Sequence, residues 1–159
     1  MLNQNAISLI KKHEGLRLRA YQCTASMWTV GFGHVGDDYF PVTKETIITE
    51  EKANELLIHD LAEAEDTVKR QYSDWELLNE NQYGAIVSFV FNTGSLKYYD
   101  KKKKAFLERT ILKFLRKHDW VNVANSFLIY TKDKKGNVLK GLRNRRIEEK
   151  ALFEKPISQ

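Results

Sequence analysis

The sequence predicts an α+β fold that is mainly helical, with a small sheet confined to its N-terminal part. β-prone segments fall between residues 16 and 32, whereas helical periodicity runs from residue 49 to near the end. Charge divides in the same way, because residues 1–80 hold 8 Lys/Arg against 14 Asp/Glu and residues 81–159 hold 18 against 7. We therefore predict one domain of 159 residues with a small acidic lobe and a larger basic helical lobe.

The smaller lobe is expected over residues 14–60 and the larger one over residues 75–159. A short helix at residues 3–13 is assigned to the larger lobe, since an asparagine can cap its start and apolar side chains line one face. Gly15 suits its end, because the residue just past a helix often needs positive φ. A cleft between two such lobes is a usual place for a ligand.

An antiparallel hairpin is predicted directly after this helix. Residues 16–21 alternate apolar and basic side chains, and residues 28–32 are rich in β-prone types. The segment of residues 22–27 is short enough and polar enough to join the two strands. The small sheet of the acidic lobe is therefore expected to consist of these two strands.

Helices are predicted from residue 49 almost to the end of the chain. Thr49 can cap the first of them. Asn79, with Gln82 three positions later, matches a capping box before a stretch that is apolar nearly all round, which predicts the buried central helix. Gly94 is the expected end of that helix. Three more helices are predicted at about residues 105–117, 119–129 and 141–153.

Composition excludes several classes of protein. The single cysteine, Cys23, excludes an internal disulfide and a cysteine-based zinc cluster. No apolar run reaches the roughly 18 residues that a membrane span needs. The N-terminal apolar stretch precedes its lysines, the reverse of the order in a signal peptide, which predicts no export signal.

The basic half of the chain predicts an affinity for polyanions, and by itself leaves open nucleic acid, anionic lipid and anionic wall polymers. Its cations include Lys101–Lys104, Arg143, Arg145 and Arg146. They are spread over several predicted elements and match no nucleic-acid-binding motif, which argues against nucleic acid as the main partner.

Three residues near the first helix could form a small reactive site. Glu14 lies at the end of that helix, and Cys23 and Thr29 lie nine and fifteen residues later on the hairpin that folds back. They would supply an acid, a nucleophilic or basic group and a hydroxyl. Glycosidic cleavage needs such a set: a proton donor for the leaving oxygen and, on the opposite face, a group that activates water or attacks the sugar.

The spacing of these residues resembles the N-terminal signature of the phage-type lysozymes, the endolysin muramidases of glycoside hydrolase family 24. That family places Glu, eight residues, Asp or Cys, five residues, Thr, and then a Gly-x-Gly-His turn. Here the elements are Glu14, Cys23, Thr29 and residues 31–34. The resemblance continues in order through the segments at residues 48–60, 89–94 and 141–149.

The resemblance implies a lysozyme-like fold and hydrolysis of the β-1,4 bond between N-acetylmuramic acid and N-acetylglucosamine in peptidoglycan. Glu14 would be the general acid, and Thr29 would position water or sugar. Substrate contacts are expected from Phe32, Asn92 and Arg145, the last also as an ion-pair partner that orients Glu14. No cofactor is expected.

The role of Cys23 has three alternatives: a base that activates water, a nucleophile, or a spacer. Many family members carry Asp at this position, and a thiol of ordinary pKa, roughly 8.5, is mostly neutral at pH 7. The thiol can replace the carboxylate only if its pKa is lowered, and Arg17 and Arg19 are candidate cations.

His34 and Asp60 are predicted to form a structural pair. Asp60 falls on the apolar face of its helix, where an unpaired carboxylate is expensive, and His34 after the Gly-x-Gly turn is the natural partner. No metal site is predicted, because the remaining histidines lack ligand-like spacing; they are His13, His59 and His118.

Two rival functions follow from the same residues. A lytic transglycosylase also uses one Glu but forms a 1,6-anhydro sugar without water. A basic binding protein would act on polyanions without chemistry. We favour a monomeric hydrolase whose basic lobe also meets anionic outer-membrane or wall polymers. The resemblance implies that it stays in the host cytoplasm until holin-dependent release.

Overall fold

A computed structural model describes residues 2–157. These residues divide into two compact units, one of residues 10–63 and the other of the remaining described residues. The chain is mainly helical with short antiparallel strands, as the sequence predicts. Its elements are α1 (Gln4–Glu14), β1 (Arg17–Gln22), β2 (Trp28–Gly31), β3 (His34–Val35), α2 (Glu50–Gln71), α3 (Glu80–Thr93), β4 (Lys97–Asp100), β5 (Ala105–Glu108), α4 (Thr110–Leu115), α5 (Trp120–Ser126) and α6 (Lys140–Glu154).

The unit of residues 10–63 contains a three-stranded antiparallel sheet in the order β1-β2-β3. Tyr21 pairs with Thr29 across β1 and β2, and Thr29 pairs in turn with Val35 of β3. The predicted hairpin is confirmed, whereas the two-residue strand β3 was not predicted. It is too short to show an alternating pattern, so only the pairing with β2 identifies it.

The capping residues predicted from the sequence begin helices α2 and α3. Thr49 Oγ1 accepts a hydrogen bond from Lys52 N at 3.1 Å at the start of α2. Asn79 Oδ1 accepts from Gln82 N at 2.9 Å, while Gln82 Oε1 accepts from Asn79 N at 3.0 Å, which completes the capping box of α3. Gly94 ends α3 with φ of 84°, as expected for a residue just past a helix.

Helix α3 is the buried helix of its unit, as predicted. Residues 83–90 of α3 are all buried. Gly84 allows close packing against α1, since a β-carbon at this position would lie only 2.5 Å from the β-carbon of Ala6. Helix α3 also packs along α6.

The predicted helix at residues 105–117 is wrong over its first half. Residues 97–108 form an antiparallel hairpin of β4 and β5, and α4 begins only at Thr110. Helical spacing of apolar residues extends one turn too far back along the chain, because Leu107 fits it as well. The aromatic cross-strand pair of Tyr99 and Phe106 favours the strand conformation instead.

Candidate active site

Glu14 is the last residue of α1 and is half-buried. Gly15 follows with φ of 71°, and its amide donates to Lys11 O at 3.0 Å, so the chain turns sharply after the glutamate. The carboxylate reaches the Gly-x-Gly turn, because a β-carbon at Gly33 would lie 3.3 Å from Glu14 Oε2. The glycine at this position leaves room for the carboxylate beside the turn.

Cys23 and Thr29 lie together at the end of the β1–β2 hairpin. Cys23 N donates to Met27 O at 3.0 Å and Ser26 N donates to Cys23 O at 2.8 Å, which closes the connecting turn. Thr29 is buried on β2, and its hydroxyl donates to Met27 O at 3.1 Å. The turn thus holds the cysteine next to the threonine that the family signature pairs with it.

The pKa of the Cys23 thiol is lowered from its ordinary value by hydrogen bonds. The backbone amide of Met27 contributes most and that of Ala25 next, while partial burial opposes them and the Thr29 hydroxyl adds to the lowering. A hydroxyl has one proton, so Thr29 donates either to Met27 O or to the thiolate. Rotation of the Thr29 hydroxyl would let it donate to Met27 O when the thiol is neutral and to the sulfur when the thiol is ionised.

The arginines that the sequence suggested are not the main cause of this lowered pKa. Hydrogen bonds from the turn dominate, whereas the guanidinium of Arg17 lies over the ring of Tyr21, 4.7 Å from its centre. Arg17 and Arg19 alternate with apolar residues along β1 and are exposed. Backbone amides of the turn, rather than the predicted arginine charges, lower the pKa of Cys23, and a sequence pattern does not show where such amides point.

Phe32 packs inside its unit. Only 7% of it is exposed, and the ammonium of Lys11 lies 5.4 Å from the centre of its ring. The resemblance implied a substrate contact at this position. This burial indicates that the Phe32 side chain packs against its own unit and that little of its ring is accessible to a sugar.

His34 and Asp60 lie in contact. His34 Nδ1 is 3.0 Å from each carboxylate oxygen of Asp60, and Nε2 is 3.1 Å from Phe40 O. Both ring nitrogens of this buried histidine lie within hydrogen-bond distance of oxygen atoms. The contact links the end of the small sheet to α2, and a purely structural role for the pair stays a prediction.

A cation could also be held at this point. Ligand atoms of His34, Asp37 and Asp60 all lie within 4.8 Å of one another. Hydrogen bonds already account for the geometry of the group, because His34 lies 3.0 Å from Asp60 and Asp37 accepts from Phe40 N at 2.8 Å. The structure therefore provides no positive argument for a metal there.

Asn92 lies in the other unit, near the end of α3, where it is exposed and its Oδ1 accepts from Arg146 Nη2 at 2.9 Å. It borders a pocket of about 590 Å³ that is rich in cations and contains one carboxylate, from Asp133. That carboxylate accepts from Lys135 N and Asn137 N in its own turn. The pocket thus presents mostly positive charge; its cationic residues are Arg109, Lys132, Lys134 and Arg146.

Arg145 and Arg146 are buried, which corrects their assignment to a basic surface. They are 4% and 0% exposed and flank the fully buried Glu149. Arg145 Nε lies 3.1 Å from Glu149 Oε1, and Arg146 Nε lies 2.8 Å from Glu149 Oε2. The predicted role of Arg145 toward Glu14 stays a prediction.

Glu149, the buried counter-ion of both arginines, was not predicted. Its Oε1 also accepts from the hydroxyl of Ser88 on α3, at 2.7 Å. Burial raises the pKa of its carboxyl, and the two guanidiniums and Ser88 pull it down. The sequence could have indicated this cluster, because Glu149 follows Arg145 by four positions and Arg146 by three. Residues at these spacings are neighbours on a helix surface.

Comparison with known proteins places the chain among bacteriophage proteins. A family model described as phage lysozyme matches residues 11–149. The chain is 38% identical to an endolysin of Acyrthosiphon pisum secondary endosymbiont phage 1, covering 96% of this chain and 97% of the relative. It is 34% identical to a SAR-endolysin of Haemophilus phage HP1, covering 95% and 80%. The crystal structure of the active form of P1 phage endolysin Lyz superimposes with a TM-score of 0.83 at 28% identity, covering 96% and 84%.

Proposed function

Because this chain belongs to the phage lysozyme family, we propose that it lyses bacteria by hydrolysing the β-1,4 bond between N-acetylmuramic acid and N-acetylglucosamine. One observation carries the proposal: Glu14 lies beside Gly33, and Cys23 and Thr29 are held together in the adjoining hairpin. An acid and a separate group of basic character are what hydrolysis of a glycosidic bond requires. Assignment to glycoside hydrolase family 24 is part of this proposal.

The reaction divides between two groups. Glu14 donates its proton to the leaving glycosidic oxygen as the bond breaks. The Cys23 thiolate accepts a proton from water, while the Thr29 hydroxyl orients that water or the sulfur. The oxygen of water then bonds to the sugar carbon on the face opposite the leaving group, so the product is inverted. The lowered pKa of Cys23 supports this role, because more of the thiol is ionised near neutral pH.

Digestion of purified sacculus should give fragments that each carry one added water. The measurement is mass spectrometry of the soluble products, with proton NMR of fresh product to read the anomer. A lytic transglycosylase would give anhydro ends without water, and a binding protein would release nothing. An α-configured reducing end supports water activation, whereas a β-configured one would overturn it.

The activities of Cys23 variants should show whether Cys23 is the base that activates water or only a spacer. Cys23→Asp is expected to be active, and Cys23→Ala to lose roughly 10²-fold in rate, at the low end of what a positioned base contributes. The acidic limb of the pH–rate profile should move to lower pH in Cys23→Asp, because a carboxyl ionises near pH 3.9. Iodoacetamide should inactivate the wild type, and substrate should protect it. A fully active Cys23→Ala would leave the cysteine as a spacer.

The basic pocket beside Asn92 supports a substrate contact in the larger unit. Peptidoglycan carries carboxylates, and guanidinium groups bind carboxylates in a bidentate manner. Arg109 and the exposed lysines at the rim would attract such groups, while Asn92 offers an amide to the sugar. We propose a monomer without a cofactor for this activity.

Endolysins act on the cell wall, and we propose that holins release this one from the host cytoplasm. Among residues 2–157, no helix combines the length and apolarity needed to cross a membrane. The Haemophilus phage HP1 relative is named a SAR-endolysin, and release without a holin is the alternative route to test for this chain. Lysis by this chain with and without a co-expressed holin would distinguish the two routes.

A further inference from the structure

The β4–β5 hairpin carries an exposed aromatic pair. Tyr99 and Phe106 face each other across the strands, with ring centres 5.3 Å apart in an edge-to-face arrangement. Tyr99 is 52% exposed and Phe106 is 73% exposed. Single exposed apolar residues are ordinary, but two adjacent aromatic rings on a two-stranded ribbon form a small apolar face.

The turn of the same hairpin is strongly basic. Lys101–Lys104 are all exposed and separate the two strands. The acidic residues beside them are engaged: Asp100 Oδ1 accepts from the amides of Lys102 and Lys103 at 2.9 Å, and Glu108 pairs with Arg116 at 2.7 Å. The tip therefore combines four lysines and one aspartate, an excess of positive charge, with an adjacent apolar face.

We propose that this hairpin binds the surface of a bilayer of anionic phospholipids. Aromatic rings prefer the head-group level of a bilayer, and lysines beside them reach the lipid phosphates with flexible side chains. A phosphate-rich wall polymer would use the lysines alone and leave Phe106 exposed, and a wall glycan would stack its sugar rings on open ring faces. The edge-to-face pair also presents ring edges, whereas nucleic-acid bases stack on open ring faces. An anionic lipid surface is the partner that would contact both the lysines of the turn and the aromatic pair.

The test is co-sedimentation of the full chain with vesicles of phosphatidylglycerol and phosphatidylcholine in equal parts. Each lysine near an anionic surface strengthens binding about five-fold, so Lys102→Gln/Lys103→Gln should weaken it about 25-fold. Phe106→Ser should weaken it roughly ten-fold by losing buried apolar area. Vesicles of phosphatidylcholine alone should bind much less, and added salt should weaken binding to the mixed vesicles.

Two matched variants isolate the hairpin. Val121→Ser removes an apolar side chain that is also 73% exposed, on α5. Lys117→Gln/Lys135→Gln removes two exposed lysines from the same basic half. Both should bind the mixed vesicles within two-fold of wild type, and thermal unfolding should verify that every variant is folded.

Three results would overturn the proposal. Equal losses in the lysine control would show attraction by the basic half as a whole. Full binding by Phe106→Ser would show attraction of the lysines to the anionic head groups alone, without a contribution from the aromatic pair. Absence of wild-type binding to the mixed vesicles would exclude anionic phospholipid as the partner. None depends on the glycosidase assignment, because the vesicles contain no glycan and the variants leave Glu14, Cys23 and Thr29 in place.

Discussion

Glu14→Gln is expected to lower the rate of cell-wall cleavage on the order of 10²–10⁴-fold, the usual contribution of a positioned general acid. The amide keeps the size of the side chain at the end of α1 and its place beside Gly33, but it cannot donate a proton that stabilises the leaving oxygen. The measurement is turbidity clearing of outer-membrane-permeabilised Gram-negative cells, with release of soluble fragments from purified sacculus as a second readout. The melting temperature should be unchanged or higher.

Glu45→Gln is the matched control for this experiment. Glu45 is exposed in the same unit and precedes α2, so the same chemical change should leave the rate within two-fold of wild type. Retention of more than about a tenth of the activity by Glu14→Gln would remove Glu14 from the acid role. A large loss accompanied by a lower melting temperature would instead indicate that the glutamate supports the fold.

Glu149→Gln is expected to lower the free energy of unfolding by about 3–5 kcal/mol. Glutamine can still accept from the Ser88 hydroxyl, but it removes the carboxylate that both guanidiniums contact and leaves the fully buried Arg146 without that counter-charge. Removing one partner of a buried ion pair costs more than the pair itself contributes, since the remaining charge stays desolvated. Urea denaturation followed by circular dichroism measures the change, with the slope compared to that of wild type.

Glu154→Gln supplies the control on the same helix. Lys150 Nζ and Glu154 Oε1 are 2.6 Å apart with the same four-residue spacing as Arg145 and Glu149, but Glu154 is exposed. Solvent screens such pairs, so a loss of about 0.5 kcal/mol or less is expected. Equal losses in the two variants would contradict a special role for the buried cluster.

Much of the local structure could be predicted from neighbouring residues alone. The capping box of Asn79 and Gln82, the cap at Thr49 and the glycine after α3 each depend on side chains within four positions. The buried character of α3 follows from its nearly continuous apolar sequence. Spacing in the first 34 residues likewise sufficed to select Glu14, Cys23 and Thr29 as candidates.

The hairpin of β4 and β5 required the tertiary structure. Its apolar residues fit helical spacing and strand pairing equally well over a few positions. Pairing of Tyr99 with Phe106 decides between them, and the turn held by Asp100 makes that pairing possible. The consequence is functional, because a helix would have separated the lysines from the aromatic pair that the hairpin brings beside them.

The helix caps, the buried helix, the β1–β2 hairpin and the order of the family signature could be predicted from the sequence, since each depends on residues close together in the chain. The tertiary structure decided which charges lie inside and which hydrogen bonds act on Cys23. Arg145 and Arg146 look like surface cations in a basic segment, yet in the interior Glu149 pairs with both and the distant Ser88 donates to Glu149. Burial and hydrogen-bond geometry depend on what the rest of the fold packs against a residue, and a linear pattern contains no record of that.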